Sequence, residues 1–213
     1  GGNSAGRHRR AENGALAVSG AAGEIFRNYF YLADRPMRAR AVIDAFYSAF
    51  DPRSCTSLFD ERLYRRRLTE KLQLALGVGE EVVPRLDIER AYPMFRSPHA
   101  FGREISMVGR FGAYFLPFCE PLLVRETVGI PVKWRTHGIL QSALIARINR
   151  RLAAYPSAYG HSFVEPPNLR HRLADAISLY RPPWLRRYSF RFNQRYRPQP
   201  PRDGGYLAPA YLC

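Results

Sequence analysis

Residues 15–31 bring together a short apolar run, a turn of small residues and the start of an amphipathic helix. This order predicts a strand, a tight turn and a helix. Gly20 and Gly23 lack a Cβ atom, so the backbone at the turn can bend sharply and approach a ligand closely. Ser19 and the amides after it would then donate hydrogen bonds to an anion at the start of the helix. An ordinary strand-to-helix turn that binds nothing has the same pattern.

Two segments resemble signatures of the asparagine synthase family. The first is Ser19-Gly20-x-x-Gly23-Glu24-Ile25-Phe26-x-x-Tyr29, which resembles the family's Ser-Gly-Glu-Gly-x-Asp-Glu-Leu-Phe-x-x-Tyr. The second is Pro117-Phe118-Cys119-Glu120-Pro121-Leu122-Leu123-Val124-Arg125-Glu126, which resembles Pro-Phe-x-Asp-x-x-Leu-Val-Glu. It is followed by Gly129-Ile130-Pro131-x-Lys133, which is similar to the family's Leu-Pro and Lys. Order and spacing match the C-terminal half of the family's synthetase domain.

The resemblance covers residues 13–163 and implies the fold of that region. It implies the C-terminal half of an α/β adenine-nucleotide synthetase domain of the PP-loop type, mostly α-helical, with a remnant of a parallel sheet. Residues 1–12 are rich in glycine and basic residues without periodicity, and we predict a flexible N-terminal segment there. Residues 164–213 are rich in proline, arginine and aromatic residues, which predicts a C-terminal arm.

The resemblance also implies an activity, that of an ATP-dependent ligase that forms an amide. In this family a carboxylate attacks the α-phosphate of ATP, pyrophosphate leaves, and ammonia displaces AMP from the acyl-adenylate. The implied cofactors are ATP and Mg²⁺, and the implied partner is a small-molecule carboxylate. By the same resemblance Ser19, Gly20 and Gly23 bind the nucleotide and Glu24 is the catalytic acid. No residue is assigned as a metal ligand.

The chain departs from the family pattern where the chemistry lies. Ala21 stands at the first Glu of the signature, and Gly23, or a one-residue gap, stands at the Asp that supports Mg²⁺. The family's late lysine near the phosphates has no counterpart in residues 155–163. Cations that would replace it are Arg150, Arg151 and His161.

The beginning of the chain also differs from the family. No upstream Ser-Gly-Gly-x-Asp-Ser pyrophosphate loop is present, and Gly1 stands where a glutaminase half would have its cysteine nucleophile. We therefore expect a fragment or a divergent member that does not release ammonia from glutamine by that route.

The charge balance offers an alternative function. The chain has 33 Lys and Arg against 18 Asp and Glu, a net charge of +15, which favours phosphates, nucleic acid or an anionic membrane surface as partners. Only Lys71 and Lys133 are lysines, so a compositional bias toward arginine explains the charge equally well. The alternative is a catalytically inactive homologue that binds nucleic acid or another polyanion through its arginine-rich surface.

Two stretches concentrate the arginines. The triplet Arg65-Arg66-Arg67 lies on a predicted helix, where it either binds phosphate or forms a solvated face. Residues 184–197 interleave Trp184, Tyr188, Phe190, Phe192 and Tyr196 with Arg186, Arg187, Arg191, Arg195 and Arg197. In one interpretation the rings stack on bases while the arginines hold a nucleic-acid backbone. In the other, the rings are buried against the body of the protein and the arginines stay in water.

Cysteine and histidine spacing indicates neither a disulfide framework nor a metal site. Cys55, Cys119 and Cys213 are far apart and odd in number. His8, His99, His137 and His171 have neither metal-ligand nor catalytic-triad spacing. The sequence has no secretory leader and no apolar run of about 18 residues. The expected location is the cytoplasm, with no transmembrane segment.

Apolar residues at helical spacing predict the remaining elements. Helices are expected over residues 37–50, 57–76, 103–115, 141–152 and about 169–179, with a helix or two short turns over 82–94. The helix after the first turn would share one face among Ile25, Phe26, Tyr29, Phe30 and Leu32. In helix 57–76 we expect Leu58, Phe59, Leu63, Leu68, Leu72 and Leu76 inside, with Arg62, Arg65, Arg66, Arg67 and Lys71 mostly outside. Leu140, Leu144, Ile145, Ile148 and Leu152 would form one apolar stripe.

Overall fold

The computed structural model describes residues 9, 12–14, 16–157, 161–165 and 169–196. The described chain is mostly helical, at 62%, with a small parallel sheet of two strands. The prediction of a mostly α-helical chain with a little parallel sheet is therefore confirmed. Most of the predicted N-terminal segment and residues 197–213 of the predicted arm lie outside the described residues. No helix in the described ranges is both long enough and apolar enough to cross a membrane.

Most of the regular elements in the described chain are short, and the helix Glu61–Leu76, with 16 residues, is the longest of them. The strands and α-helices are β1 (Ala17–Val18), α1 (Arg40–Val42), α2 (Glu61–Leu76), α3 (Arg85–Glu89), α4 (Arg103–Val108), β2 (Tyr114–Phe115), α5 (Pro121–Val128), α6 (Val132–Arg135), α7 (Ile139–Ile148), α8 (Arg150–Ala153), α9 (Leu169–Tyr180) and α10 (Arg186–Tyr196). Turns of 3₁₀ helix span Gly23–Phe26, Pro52–Ser54, Gly109–Phe111, Pro117–Cys119 and Pro183–Leu185. Segments of π helix span Ile43–Tyr47, Tyr92–Arg96 and Pro98–Gly102.

The parallel sheet joins two distant parts of the chain. Ala17 of β1 lies opposite Tyr114 of β2, and Val18 lies opposite Phe115. The sequence predicted a helix over residues 103–115, but α4 ends at Val108 and β2 follows a 3₁₀ turn. A strand of two residues has no periodicity by which the sequence could reveal it.

The helix predicted after the first turn is wrong beyond Phe26, because the 3₁₀ turn Gly23–Phe26 is all that forms. Asn28 explains the break: its side-chain oxygen accepts from Leu32 N–H at 3.0 Å, and its Nδ2 donates to Leu32 O at 2.8 Å. An Asn side chain that bonds nearby backbone competes with the helix for those groups. Phe30 and Leu32 are nevertheless buried in the core, as predicted.

Helix α2 is the long element of the fold. The Asp60 carboxylate caps its first turn by accepting from the backbone N–H groups of Arg62 and Leu63. Gly77 ends the helix at φ +68°, a left-handed conformation that suits glycine. Both helix ends therefore follow from the local sequence.

The inner face of α2 is narrower than predicted. Leu72 and Leu76 are buried as expected, but Leu58 is 93% exposed and Leu63 is 41% exposed. Leu58 precedes the helix, which begins at Glu61 rather than at residue 57. Arg65, expected outside, is mostly covered and forms an ion pair with Asp44.

The hydrophobic core lies between the first loop, α1 with its π-helical continuation, α2 and the segment from α3 to Tyr92–Arg96. Its largest fully buried members are Phe30, Leu32, Ile43, Leu72, Ile88 and Tyr92. Residues 82–94 form the second of the two arrangements that the sequence left open, a short α3 followed by a π-helical turn. This core holds the first loop against α2 and α3.

The region after residue 139 exposes much of its apolar surface. The helix predicted over 141–152 is two helices, because the Asn149 side chain accepts from Leu152 N–H and caps α8. The predicted stripe is not an inner face, since Ile148 is 81% exposed and Leu152 is 58% exposed. Helix α9, predicted at about 169–179, is confirmed, and Leu173 on it is 64% exposed.

Candidate functional site

The edge of the parallel sheet brings the predicted site residues to the segment that follows β2. Ser19 N–H donates to Phe115 O at 3.0 Å, and Ala17 N–H donates to Ala113 O at 3.1 Å. Because β1 and β2 are parallel, the turn after Val18 and the turn after Phe115 lie at the same edge. Ligands of open α/β sheets bind outside such carboxyl ends.

The turn at Ser19 and Gly20 uses part of its own hydrogen-bonding capacity. Ser19 Oγ accepts from Ala21 N–H at 3.2 Å, and Gly20 O accepts from Gly23 N–H at 3.1 Å. Ala22 closes the turn in the left-handed region, at φ 68°. The amides of Ala21 and Gly23 are thus bonded inside the turn, while Gly20 is exposed and has open space beside its Cα.

Gly23 has a packing role in this structure. A Cβ atom at Gly23 would lie 3.2 Å from the ring of Phe118, which is tighter than ordinary contact. Phe118 also meets Phe26 edge to face, with ring centroids 5.6 Å apart. The glycine therefore lets the segment after β2 lie directly against the turn after β1.

The Glu24 carboxylate is half-buried and has a specific partner. Tyr92 Oη donates to Glu24 Oε2 at 2.8 Å. Burial, and then the neighbouring carboxylate of Glu24, raise the pKa of Tyr92 well above the ordinary value of a tyrosine. Tyr92 therefore keeps its proton at neutral pH and holds the Glu24 carboxylate in one orientation.

Directly behind the turn lies a buried ionic cluster of Arg85, Glu89 and Arg135. Glu89 Oε1 is 2.5 Å from Arg85 Nη2, and Glu89 Oε2 is 3.2 Å from Arg135 Nη1. These side chains are at most 3% exposed. Burial lowers the pKa of Arg135, and the Glu89 carboxylate opposes that shift. An arginine keeps its charge even under such burial, so the cluster places fixed charges under the site.

The cluster is tied to the candidate turn through the backbone. Arg135 Nη1 donates to Ile25 O at 2.8 Å, and Arg85 Nη2 donates to Asn28 Oδ1 at 3.0 Å. Arg135 O in turn accepts from Asn28 N–H at 2.9 Å. No sequence pattern singled out Arg85, Glu89 or Arg135. The Arg85-x-x-x-Glu89 spacing was the available signal, but such a pair is equally typical of a solvated helix face.

The cations proposed as substitutes for the family's lysine do not converge on this turn in any contact that the described residues show. Of these, Arg150 and Arg151 are exposed; Lys133, which matches the family's lysine after the Ile-Pro turn, is exposed as well. His161 Nδ1 lies 2.8 Å from Ser162 O, and His161 O accepts from Ser157 Oγ at 2.6 Å. Residues 158–160 of that run lie outside the described residues.

Within the described ranges no group of three or more His, Cys, Asp or Glu side chains is placed to hold a metal ion. Cys55 and Cys119 are exposed free thiols, and Cys213 lies outside the described residues. Glu24 is the acid of the candidate turn, and one of its oxygens already accepts from Tyr92. These side chains do not by themselves form a magnesium site.

A second candidate surface is a groove of about 740 Å³ between α2 and α10. Its arginines are Arg40, Arg62, Arg65, Arg66, Arg187 and Arg191, and its acids are Glu61, Glu70 and Glu80. Glu61 pairs with Arg187 and Arg191, and Glu70 lies 3.8 Å from Arg66. Six arginines stand against three glutamates in the lining and Asp44, which pairs with Arg40 and Arg65, so the groove has an excess of two positive charges. We call this surface the α2–α10 groove.

The side chains of residues 184–196 contradict one of the two interpretations for all the rings except Phe190, which is half-buried. Trp184, Tyr188 and Phe192 are 55%, 46% and 62% exposed, so these rings are not buried against the body. The arginines contact the body instead: Arg186 Nη1 donates to Phe30 O at 2.8 Å, and Arg191 Nη2 donates to Glu61 at 2.9 Å.

We compared the chain with known proteins and found no match. No known protein-family model matches the chain, and no curated protein and no solved structure shows significant similarity to it.

Proposed function

We propose that this chain is the C-terminal half of an asparagine-synthase-like, PP-loop-type synthetase domain that takes part in ATP-dependent amide formation. The supporting observation is the adjacency of the two segments that carry the resemblance. Ser19 N–H bonds Phe115 O, and Gly23 lies against Phe118, although these pairs are more than ninety residues apart in sequence. Both segments then border one edge of the parallel sheet.

In this proposal the turn supplies backbone to the nucleotide. Gly20 is exposed and unobstructed, so a phosphate or ribose can approach its backbone closely. Ser19 Oγ accepts from Ala21 N–H and so stabilises the turn beside it. The carboxylate substrate attacks the α-phosphorus of ATP, the bond to the β-phosphate oxygen breaks, and pyrophosphate leaves. Ammonia then displaces AMP from the acyl-adenylate.

Glu24 is the acid at this site, and Tyr92 positions it. The Tyr92 hydroxyl holds Oε2, which leaves Oε1 of Glu24 as the oxygen for substrate or ammonia. Because the described residues do not form a magnesium site, we assign no step to a protein-bound metal. The pyrophosphate-binding residues and further acids would come from another part of the domain.

The test is ATP–pyrophosphate exchange with the protein as its own cell makes it, with aspartate and then other small carboxylates as substrates. We expect exchange that depends on one carboxylate and falls at least about 100-fold in Glu24→Gln, the size of a lost electrostatic contact at a reacting centre. Glu80→Gln, at an exposed glutamate outside both segments that accepts from Gln73, is the matched control and should leave the exchange unchanged. No exchange with any carboxylate, or full exchange in Glu24→Gln, would overturn the proposal.

A further inference from the structure

Helix α10 and the 3₁₀ turn before it present a row of exposed aromatic rings. Trp184, Tyr188, Phe192 and Tyr196 are four residues apart and are 46% to 67% exposed. A spacing of four residues keeps side chains on neighbouring positions of one helix face, with a rise of about 6 Å per step. Trp184 contacts Tyr188, and Phe192 contacts Tyr196, edge to face or tilted. We call these four residues the aromatic row.

The row faces solvent because arginines occupy the inner side of the helix. Arg186 Nη1 donates to Phe30 O, and Arg191 Nε donates to Phe50 O at 3.3 Å. Arg187 and Arg191 both pair with Glu61 at the start of α2. Charged hydrogen bonds thus hold α10 to the body and leave much of each ring in solvent. Arg187 lies over one face of the Tyr188 ring, 4.6 Å from its centroid, so a base would stack on the other face. Exposed aromatic clusters of this kind mark interaction surfaces.

The α2–α10 groove lies along the same helix, and Tyr188 belongs to both surfaces. Across the groove, Arg62 and Arg66 on α2 are exposed, and the Arg40 side chain is 57% exposed. Arg62 makes no ion pair with another described residue, while Arg66 and Arg40 have only the 3.8 Å and 3.6 Å contacts with Glu70 and Asp44. These cations can therefore turn toward an anionic ligand at small cost.

We propose that the aromatic row and the α2–α10 groove together bind single-stranded nucleic acid. Bases would stack on Tyr188 and its neighbours, and phosphates would lie in the groove against Arg62 and Arg66. The excess positive charge of the groove, and of the chain as a whole at +15, favours a polyanion over an apolar protein partner.

A single strand fits better than a duplex. The ring centroids are 6.5 Å apart for Trp184 and Tyr188 and 4.6 Å apart for Phe192 and Tyr196. Both distances exceed the 3.4 Å rise of a duplex strand, so successive bases must be unstacked to meet the rings. This inference goes beyond the proposed ligase function and uses none of its residues.

The experiment is fluorescence anisotropy of a labelled oligothymidylate of about 16 nucleotides, the upper end of common single-strand site sizes, titrated with the full chain. The double variant Tyr188→Ala/Phe192→Ala should weaken binding by about 10-fold or more while its salt dependence stays the same, since stacking carries no net charge. Arg62→Ala/Arg66→Ala should weaken binding. It should also make the negative slope of log affinity against log salt shallower by about 1.4, because two phosphate contacts are lost.

The controls separate stacking from general stickiness or misfolding. Leu173→Ala/Ile177→Ala removes exposed apolar residues on α9, and Arg125→Ala removes an exposed arginine elsewhere. Both should bind within about twofold of the parent, and circular dichroism should show unchanged helix in every variant, because all the changed side chains are exposed. Glu24→Gln should bind the oligonucleotide normally, so failure of the ligase proposal would leave this one intact.

Four results would overturn the inference. Equal affinity for duplex DNA, or unchanged affinity in the aromatic double variant, would show charge attraction without base stacking. Loss of all binding at physiological salt would show the same. Binding to phosphatidylserine vesicles that depends on the aromatic row, with no such dependence for the oligonucleotide, would assign the surface to a membrane instead.

Discussion

The Nη1 atom of Arg135 donates a 2.8 Å hydrogen bond to the carbonyl oxygen of Ile25, a residue 110 positions earlier in the chain. Ile25 follows Glu24 directly, so this bond fixes the candidate turn to α6. The other guanidinium nitrogens of Arg135 donate to Ile130 O and Thr127 O. One buried side chain thus joins two distant backbone segments, the candidate turn and residues 127–130, beside the site.

We predict that Arg135→Met destabilises the protein by about 3 to 5 kcal/mol, because it removes a buried cation whose partners stay behind. Arg85→Met is the matched comparison. Its Nε and Nη1 atoms are buried and have no acceptor in the described part of the chain, so fewer bonds are lost. We expect it to cost at least about 1 kcal/mol less than Arg135→Met. Urea unfolding measures both, and equal losses would contradict the special role of Arg135.

Stability should also fall at alkaline pH through Tyr47. Burial raises the pKa of Tyr47 from 10.0 to about 12, with nearby Arg96 acting in the opposite direction. The folded state therefore favours the protonated phenol, and this contribution is complete below pH 10 and is lost as the pH rises through 12. In Tyr47→Phe the loss of stability between these values should be smaller. Urea unfolding at several pH values tests this, and identical pH profiles for parent and variant would contradict it.

The N-cap of α2 gives a third prediction. Asp60→Ala should cost about 1 kcal/mol, because the N–H groups of Arg62 and Leu63 lose their acceptor. Asp60→Asn keeps a capping oxygen and should lose only a few tenths of a kcal/mol of stability. It is therefore the control for the charge of Asp60. Thermal unfolding by circular dichroism distinguishes the two. An Asn variant as unstable as the Ala variant would mean that the cap acts through its charge.

Local signals and periodicity predicted part of this fold. The end of α2 at Leu76 and the burial of Leu72 were predicted, because the apolar spacing continues up to the glycine that stops the helix. The start was placed at residue 57 instead of Glu61. The non-helical backbone after Phe26 could not be predicted, because it depends on the hydrogen bond that the Asn28 side chain accepts from the backbone of Leu32. No local pattern records that competition.

The candidate site was likewise predictable only in part. The likeness of the two segments singled out the turn at Ser19 and the residues around Phe118, which the sheet does bring together. The pairing of Tyr92 with Glu24 spans 68 residues, and the sequence carries no trace of it. On α10 the sequence showed both rings and arginines, but only tertiary contacts decide which of them face the body.

The fourth prediction concerns which leucines in and near α2 face the core. Leu72 is fully buried, so Leu72→Ala should destabilise the protein by about 2 to 5 kcal/mol. Leu58, which precedes the helix, is 93% exposed, and Leu58→Ala should stay within about 0.5 kcal/mol of the parent. Urea unfolding checks the pair. A large loss in Leu58→Ala would show that the sequence-based helix start, rather than the observed one, is correct.

Two glycines of the candidate turn can separate packing from ligand binding. Gly23→Ala should destabilise by about 1 to 3 kcal/mol, because its Cβ would lie 3.2 Å from the Phe118 ring. The cost should shrink in a Phe118→Leu background, and that coupling identifies the contact. Gly20→Ala meets no neighbour and should leave stability unchanged or raise it by about 0.4 to 1 kcal/mol.

The same Gly20→Ala variant then tests the proposed nucleotide site without the complication of unfolding. If the Gly20 backbone contacts ATP, the added methyl group should weaken ATP binding to the native full-length protein while its urea midpoint stays at or above that of the parent. Gly77→Ala, at the end of α2, is the control for a glycine far from the turn: it should lose stability, because Gly77 has φ +68°, and keep its ATP affinity. Unchanged ATP affinity in Gly20→Ala would remove the turn from the nucleotide site.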